Sequence, residues 1–186
     1  MLRRMDGTEQ EIFNTLTSTL STIVLTVKQL TANRHGVGTD MREVLILHNP
    51  DGTLGLVIPV LDRSRIPESI AETDARFASL VSEAYVWLGV DEPEDSFPLA
   101  EMFAAHHPDV QECVCLSIAC QSGSFAVSWP YRYDGTMVRW GMPVNSSSEL
   151  STVRLLTEGF ERQVIRDREG APILDYPTAC EQAGMV

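Results

Sequence analysis

Between Ile12 and Leu30 the apolar positions Ile12, Phe13, Leu16, Leu20, Ile23, Val24, Val27 and Leu30 recur at the three-and-four spacing of an α-helix. Thr8 followed by Glu11 has the form of a capping box and Gly36 and Gly38 close the segment, so the pattern predicts an amphipathic helix over 8–33. Its polar side is rich in Thr and Ser, which are mediocre helix formers. Such a helix depends on docking its apolar stripe, either on this chain's own sheet or on a second copy.

The period then changes from helical to alternating. Glu43-Val-Leu-Ile-Leu-His48 and Leu54 to Leu61 flank Asn49-Pro-Asp-Gly52, in which proline pre-sets a turn and glycine accepts positive φ, so a β-hairpin is expected. Pro67 suits a first helical turn, and Ile70, Asp74, Phe77, Ala78 and Val81 share a face, which predicts a helix over 67–80 leading into a strand at Glu83-Ala-Tyr-Val-Trp-Leu88. Residues 90–98 are acidic with two prolines and read as a loop before a short helical segment, 99–105. Val110 to Cys120, Phe125 to Tyr133 and Met137 to Met142 read as three strands of an antiparallel meander, joined by Gln121-Ser-Gly-Ser124 and by Asp134-Gly135. Ser146 with Glu149 forms a second capping box, and Leu150, Val153, Leu156, Phe160 and Val164 predict a helix over 147–165, followed by an extended tail over 166–186. The fold class is therefore α+β in a single domain, 1–186. An antiparallel sheet of about five to six strands occupies the core, 42–143, with helices packed mainly on one face.

Alternation inside the strands assigns their faces. Phe125, Val127, Trp129, Tyr131 and Tyr133 oppose Ala126, Ser128, Pro130 and Arg132, while Val114, Leu116 and Ile118 oppose Cys113, Cys115, Ser117 and Ala119. The pattern predicts a large-residue face beneath helices and a flat, half-solvated face, with the flat face or the aromatic rim at Tyr131 and Tyr133 as a place to meet a partner.

Charge sharpens this picture. The 186-residue chain carries a formal net charge of -12, which disfavours phosphate backbones and argues against direct nucleic-acid binding. Between Arg76 and Arg132 there is no Lys or Arg, while Glu83, Asp91, Glu92, Glu94, Asp95, Glu101, Asp109 and Glu112 accumulate. These eight residues are the candidate partner-binding surface, and its complement is a protein with a basic surface. Lys28 is the only lysine among fourteen basic residues, a bias of GC-rich bacterial or phage genomes.

Candidate chemistry is sparse. His106-His107-Pro-Asp109 is the one cluster with ligand or acid–base character, yet adjacent histidines diverge, and a metal would need His48, Cys113 or Glu112 brought in by the fold. Capping of a short helix by the two histidines accounts for the tetrapeptide, so no metal is expected; His106, His107 and Asp109 would be its ligands if one were held. Cys113-x-Cys115 lacks the two-residue gap of a zinc knuckle or a thioredoxin motif, and with Cys120 it reads as reduced, mostly buried thiols; with Cys180 apart in the tail, the set fits a cytoplasmic protein. The chain has no G-x-S-x-G elbow, no phosphate loop and no H-E-x-x-H, so neither a catalytic residue nor a cofactor is assigned. Arg162, Arg166 and Arg168 complement a helix C-terminus and are too few for a nucleic-acid stripe. No apolar stretch has the length of a signal peptide core or a membrane span.

The hairpin ending near Pro59, the segment Leu80-Val-Ser-Glu-Ala-Tyr-Val86, and His107-Pro-Asp-Val-Gln-Glu-Cys113 opening an apolar strand closed by Gly123 together resemble a group of small α+β proteins of bacteria and their phages. The resemblance covers the middle half of the chain. It implies the sheet order and brings no activity, cofactor or catalytic residue with it. The leading functional expectation is a non-catalytic accessory or regulatory protein that docks through its acidic surface. The alternatives are a small enzyme or metal protein built on His106, His107 and Asp109, and an inhibitor that imitates nucleic acid.

Overall fold

Asp6 caps the first helix: its carboxylate accepts from Glu9 N at 2.8 Å while Glu9 Oε2 accepts from Asp6 N at 3.2 Å. This reciprocal box displaces the expected Thr8 and Glu11 pair by two residues, because a carboxylate at the N-cap also meets the helix dipole. The helix, α1, runs Gly7–His35 and buries Phe13, Leu16, Leu20, Val24, Lys28 and Ala32. The structure, a computed structural model, describes residues 5–89, 98–145 and 151–173.

The hairpin forms as the turn chemistry demands, with β1 (Val44–His48) and β2 (Leu54–Pro59) antiparallel and Gly52 at φ 81°. A 3-10 turn and α2 (Ile66–Ala71) follow, then β3 (Phe77–Trp87), α3 (Leu99–Ala104), β4 (Val110–Cys120), β5 (Gly123–Asp134), β6 (Met137–Trp140), β7 (Val144–Asn145) and α4 (Ser151–Glu169). The strands make one antiparallel sheet in the order β2-β1-β3-β4-β5-β6, with β7 also on β5. Its spine is β3 against β4, paired without interruption from Phe77↔Cys120 to Trp87↔Val110.

The α+β class holds, with the helices divided between the faces. α1 covers Phe77, Val81, Val114, Leu116, Ile118, Val127 and Trp129 on one side; α2 and α4 cover Leu45, Leu47, Ala78, Leu80 and Ala119 on the other. The flat face is therefore occupied by α4 and is closed to a partner along Ser117 and Ala119. Ser117 Oγ meets Thr152 Oγ1 at 2.8 Å, which only small side chains permit. Burial on both faces also explains why the expected helix over 67–80 ends at Ala71. A doubly covered strand carries apolar residues on both sides, so its spacing imitates a helix. Thr73 Oγ1 donates to Ile70 O at 3.1 Å and stops α2, and the chain enters β3 six residues before the expected Glu83.

Two further boundaries move. The β4 to β5 joint tightens to Gln121-Ser122, with Cys120 paired to Gly123. The last helix continues past 165 because Arg166 Nη1 donates to Ala71 O and Thr73 O at 2.6 Å each, and Gln163 Nε2 donates to Thr73 O at 2.9 Å and Ala75 O at 3.0 Å. The Ser146 and Glu149 capping box lies outside the described residues, as do Cys180 and 174–186 of the tail.

Candidate functional site

The buried face of α1 reads Leu16, Leu20, Val24, Lys28, Ala32, one step of four after another, and its fourth member is a cation. Lys28 is 1% exposed, and its ammonium forms an ion pair with Glu83, which continues the Phe77, Ser79, Val81 face of β3 and is 13% exposed. Lys28 Nζ donates to Thr39 O at 3.2 Å and lies 4.6 Å from the Tyr131 ring centroid and 5.6 Å from that of Tyr133. Glu83 accepts from Met41 N at 2.8 Å and from the Tyr131 hydroxyl at 3.2 Å. Burial alone would lower the Lys28 pKa; the Glu83 carboxylate and the Tyr133 hydroxyl outweigh it, and the net direction is up. The ammonium is thus held charged in an aromatic and carboxylate cage that the protein fills with its own side chain.

Tyr131 and Tyr133 also wall a cleft of about 460 Å³, together with His106, His107, Glu112 and Arg132. Burial raises the Glu112 pKa, with Glu83 and Asp40 adding to the effect against the opposing charge of Lys28. His106 and His107 cap α3: His106 takes φ 60°, its N–H donates to Phe103 O, and His107 N–H donates to Met102 O at 2.9 Å. This is a Schellman closure, so the helix-end reading of the tetrapeptide describes their placement. His107 stacks on Trp87 at 5.0 Å and its Nδ1 accepts from Asp109 N at 3.3 Å. Among the described residues no three of His, Cys, Asp and Glu gather as a metal-ligand set.

The described members of the acidic set, Glu83, Glu101, Asp109 and Glu112, do not form one exposed surface. Glu83 faces inward to Lys28, a correction that follows from its place on the α1 side of β3. Glu112 is half-buried in the cleft, Asp109 is partly covered and Glu101 is exposed on α3; Asp91, Glu92, Glu94 and Asp95 lie outside the described residues. The thiols of Cys113, Cys115 and Cys120 are buried. Cys115 Sγ lies 3.6 Å from Cys113 Sγ and 3.0 Å from Ser128 Oγ; the Cys113 contact, then Ser128, pulls the Cys115 pKa down, and the Cys113 pKa moves up in response.

A second opening lies elsewhere. α1 packs mainly over β4 and β6 and covers the β2 edge of the same face less. The result is a groove of about 680 Å³ with Ile23, Val24 and Val27 as its wall and Ile46, Leu54 and Val57 in its lining. Leu54 is 62% and Val57 49% exposed, and Ile23 and Val27 on the α1 flank are 49% and 41% exposed.

No protein-family model matches this chain, and no curated protein or solved structure matches it. The site therefore has to be read from its own chemistry. Among the described residues, no helix is long and apolar enough to cross a membrane.

Sequence reasoning missed both features that the fold assembles. Lys28 had a signal, since it falls on the same four-residue ladder as Leu16, Leu20 and Val24 and so had to be buried and paired. The groove had one too: Ile23, Val27 and Leu30 lie beside that ladder, and Leu54-Gly-Leu-Val-Ile-Pro59 carries no polar alternation although β2 is an edge strand.

Proposed function

We propose that this chain is a protein-binding module whose contact surface is the groove between α1 and the β1–β2 hairpin. The observation that carries the reading is the apolar, half-exposed lining at Ile23, Val27, Leu54 and Val57 next to an edge strand without a charged residue. Edge strands that face water are normally guarded by charge, and contiguous exposed apolar surface marks interaction sites. The ionisable residues are spent differently. Lys28 and Glu83 fix α1 to the sheet, and Gln29 adds to the clamp by donating to Thr136 O at 3.1 Å and accepting from Val138 N at 2.9 Å. A rigidly seated helix with a free apolar flank supports binding, and the acidic residues act at most as a surrounding field.

Photocrosslinking tests this directly. A benzophenone side chain at Val57 should form covalent adducts with a polypeptide in cells, while the same group at Glu161, on the outer face of α4, should not. Equal adduct formation at both positions, or none at Val57, would overturn the reading.

A further inference from the structure

We infer that the groove is filled by α1 of a second copy of this chain, the two helices lying antiparallel about a two-fold axis. This inference rests on the binding-module reading above. Its first support is the shape of α1, whose apolar arc is wider than its own sheet can use. Ile23, Val27 and Leu30, at steps of four and three, form a flank beside the buried ladder, and each is between 41% and 49% exposed. The second support is size. A helix about 10 Å across rises 1.5 Å per residue, so the groove of about 680 Å³ holds roughly six residues of helix, the span that carries Ile23 and Val27. A two-fold contact needs one patch that is both donor and receptor, and here the flank that would enter and the groove that would receive it adjoin on one surface.

Charge supplies the third support. A chain of net charge -12 repels its own copies over most of its surface. The ionisable residues lining the groove are His35, Asp40 and Arg42, a set without excess negative charge. Asp40 and Arg42 are exposed, and among the described residues neither forms an ion pair within the chain. They stand two residues apart at the rim, so an antiparallel two-fold can set Asp40 of each copy against Arg42 of the other. The groove is the place where self-association meets no electrostatic opposition.

Sedimentation equilibrium of the full chain over a wide dilution series reads the outcome. Wild type should sediment at twice the monomer mass, Val27→Glu should weaken the dimer at least tenfold, and Asp40→Arg should weaken it by placing like charges at the rim. Asp40→Arg combined with Arg42→Asp should recover most of the wild-type association, a rescue that a merely structural effect would not produce. Both rim residues are exposed, so this arm remains readable even if Val27→Glu unfolds. A monomeric wild type, or a dimer indifferent to both Val27→Glu and Asp40→Arg, would overturn the inference. If wild type is monomeric while Val57 still crosslinks to another polypeptide, the second-copy assignment fails and the binding module stands. If Val57 yields no adduct either, both fail.

Discussion

Replacing Glu83 by Gln should be among the most damaging single substitutions in this protein, and more damaging than replacing its partner Lys28 by Met. With Gln at 83, the Lys28 ammonium, 1% exposed, loses the Glu83 counter-charge and keeps neutral acceptors, Thr39 O and an amide oxygen, beside the faces of Tyr131 and Tyr133. An uncompensated buried charge of this kind costs about 3–5 kcal/mol. With Met at 28, the Glu83 carboxylate keeps the Met41 N–H and the Tyr131 hydroxyl and is 13% exposed, so it is partly solvated and the cost falls to about 1–3 kcal/mol. The double variant buries no lone charge and should be more stable than Glu83→Gln alone, giving a coupling of about 2 kcal/mol or more in the thermodynamic cycle. Urea unfolding at neutral pH measures all four proteins, and the thermal midpoint of Glu83→Gln should fall by about 6–20 °C for a chain of this length. The pH dependence has a definite sign: Lys28 is raised above its ordinary 10.5, so the pair's stabilisation is complete below that value and is lost as pH climbs through the folded pKa. Both single variants should lack that alkaline step. Additive single effects, or a double variant no better than Glu83→Gln, would refute the reasoning.

Burial holds His48 neutral with its pKa lowered to about 4, and among the described residues Nδ1 has no hydrogen-bond partner, so stability is present above pH 6.5 and falls by about 3 kcal/mol as pH drops through 4. His48→Gln should flatten that part of the acid limb in urea titrations, whereas an unchanged limb would show that His48 does not drive it. Gly159→Ala should destabilise by about 1–3 kcal/mol despite its better helix propensity, because a Cβ there would stand 2.7 Å from the Ile70 Cβ; a stabilised variant would mean that α2 and α4 can part freely. The thiols of Cys113, Cys115 and Cys120 should react slowly with a disulfide reagent in the native protein and at once in denaturant, and reductant should leave the melting temperature unchanged.

Secondary structure was legible in the sequence where turn residues bound an element or one of its faces meets water. The hairpin at Asn49 to Gly52 and the meander from Val110 were found from the turn residues that delimit their strands, although β1 and β4 are buried on both faces, and α1 was found from its amphipathic stripe. The segment from Thr73 to Ser82 was misread because β3 is covered on both faces, which removes the polar alternation that marks a strand. The site was harder to see. Glu83 belongs by composition to an acidic run, and only the pairing of β3 with its neighbours, which seats it beneath α1, shows that its charge is answered by Lys28. Exposure of Leu54 and Val57 likewise depends on where α1 crosses the sheet, which no local pattern encodes.

Because Lys28 is the chain's only lysine and lies sealed beneath α1, the folded surface presents no lysine amine at all. Labelling or crosslinking at a lysine, lysine acetylation, ubiquitin attachment to a lysine and cleavage by a lysine-specific protease all require the side chain that this fold withholds. Reactivity at position 28 is therefore a direct reporter of whether α1 has lifted from the sheet. A single amine label read by mass spectrometry can time that opening residue-specifically, with no engineered probe.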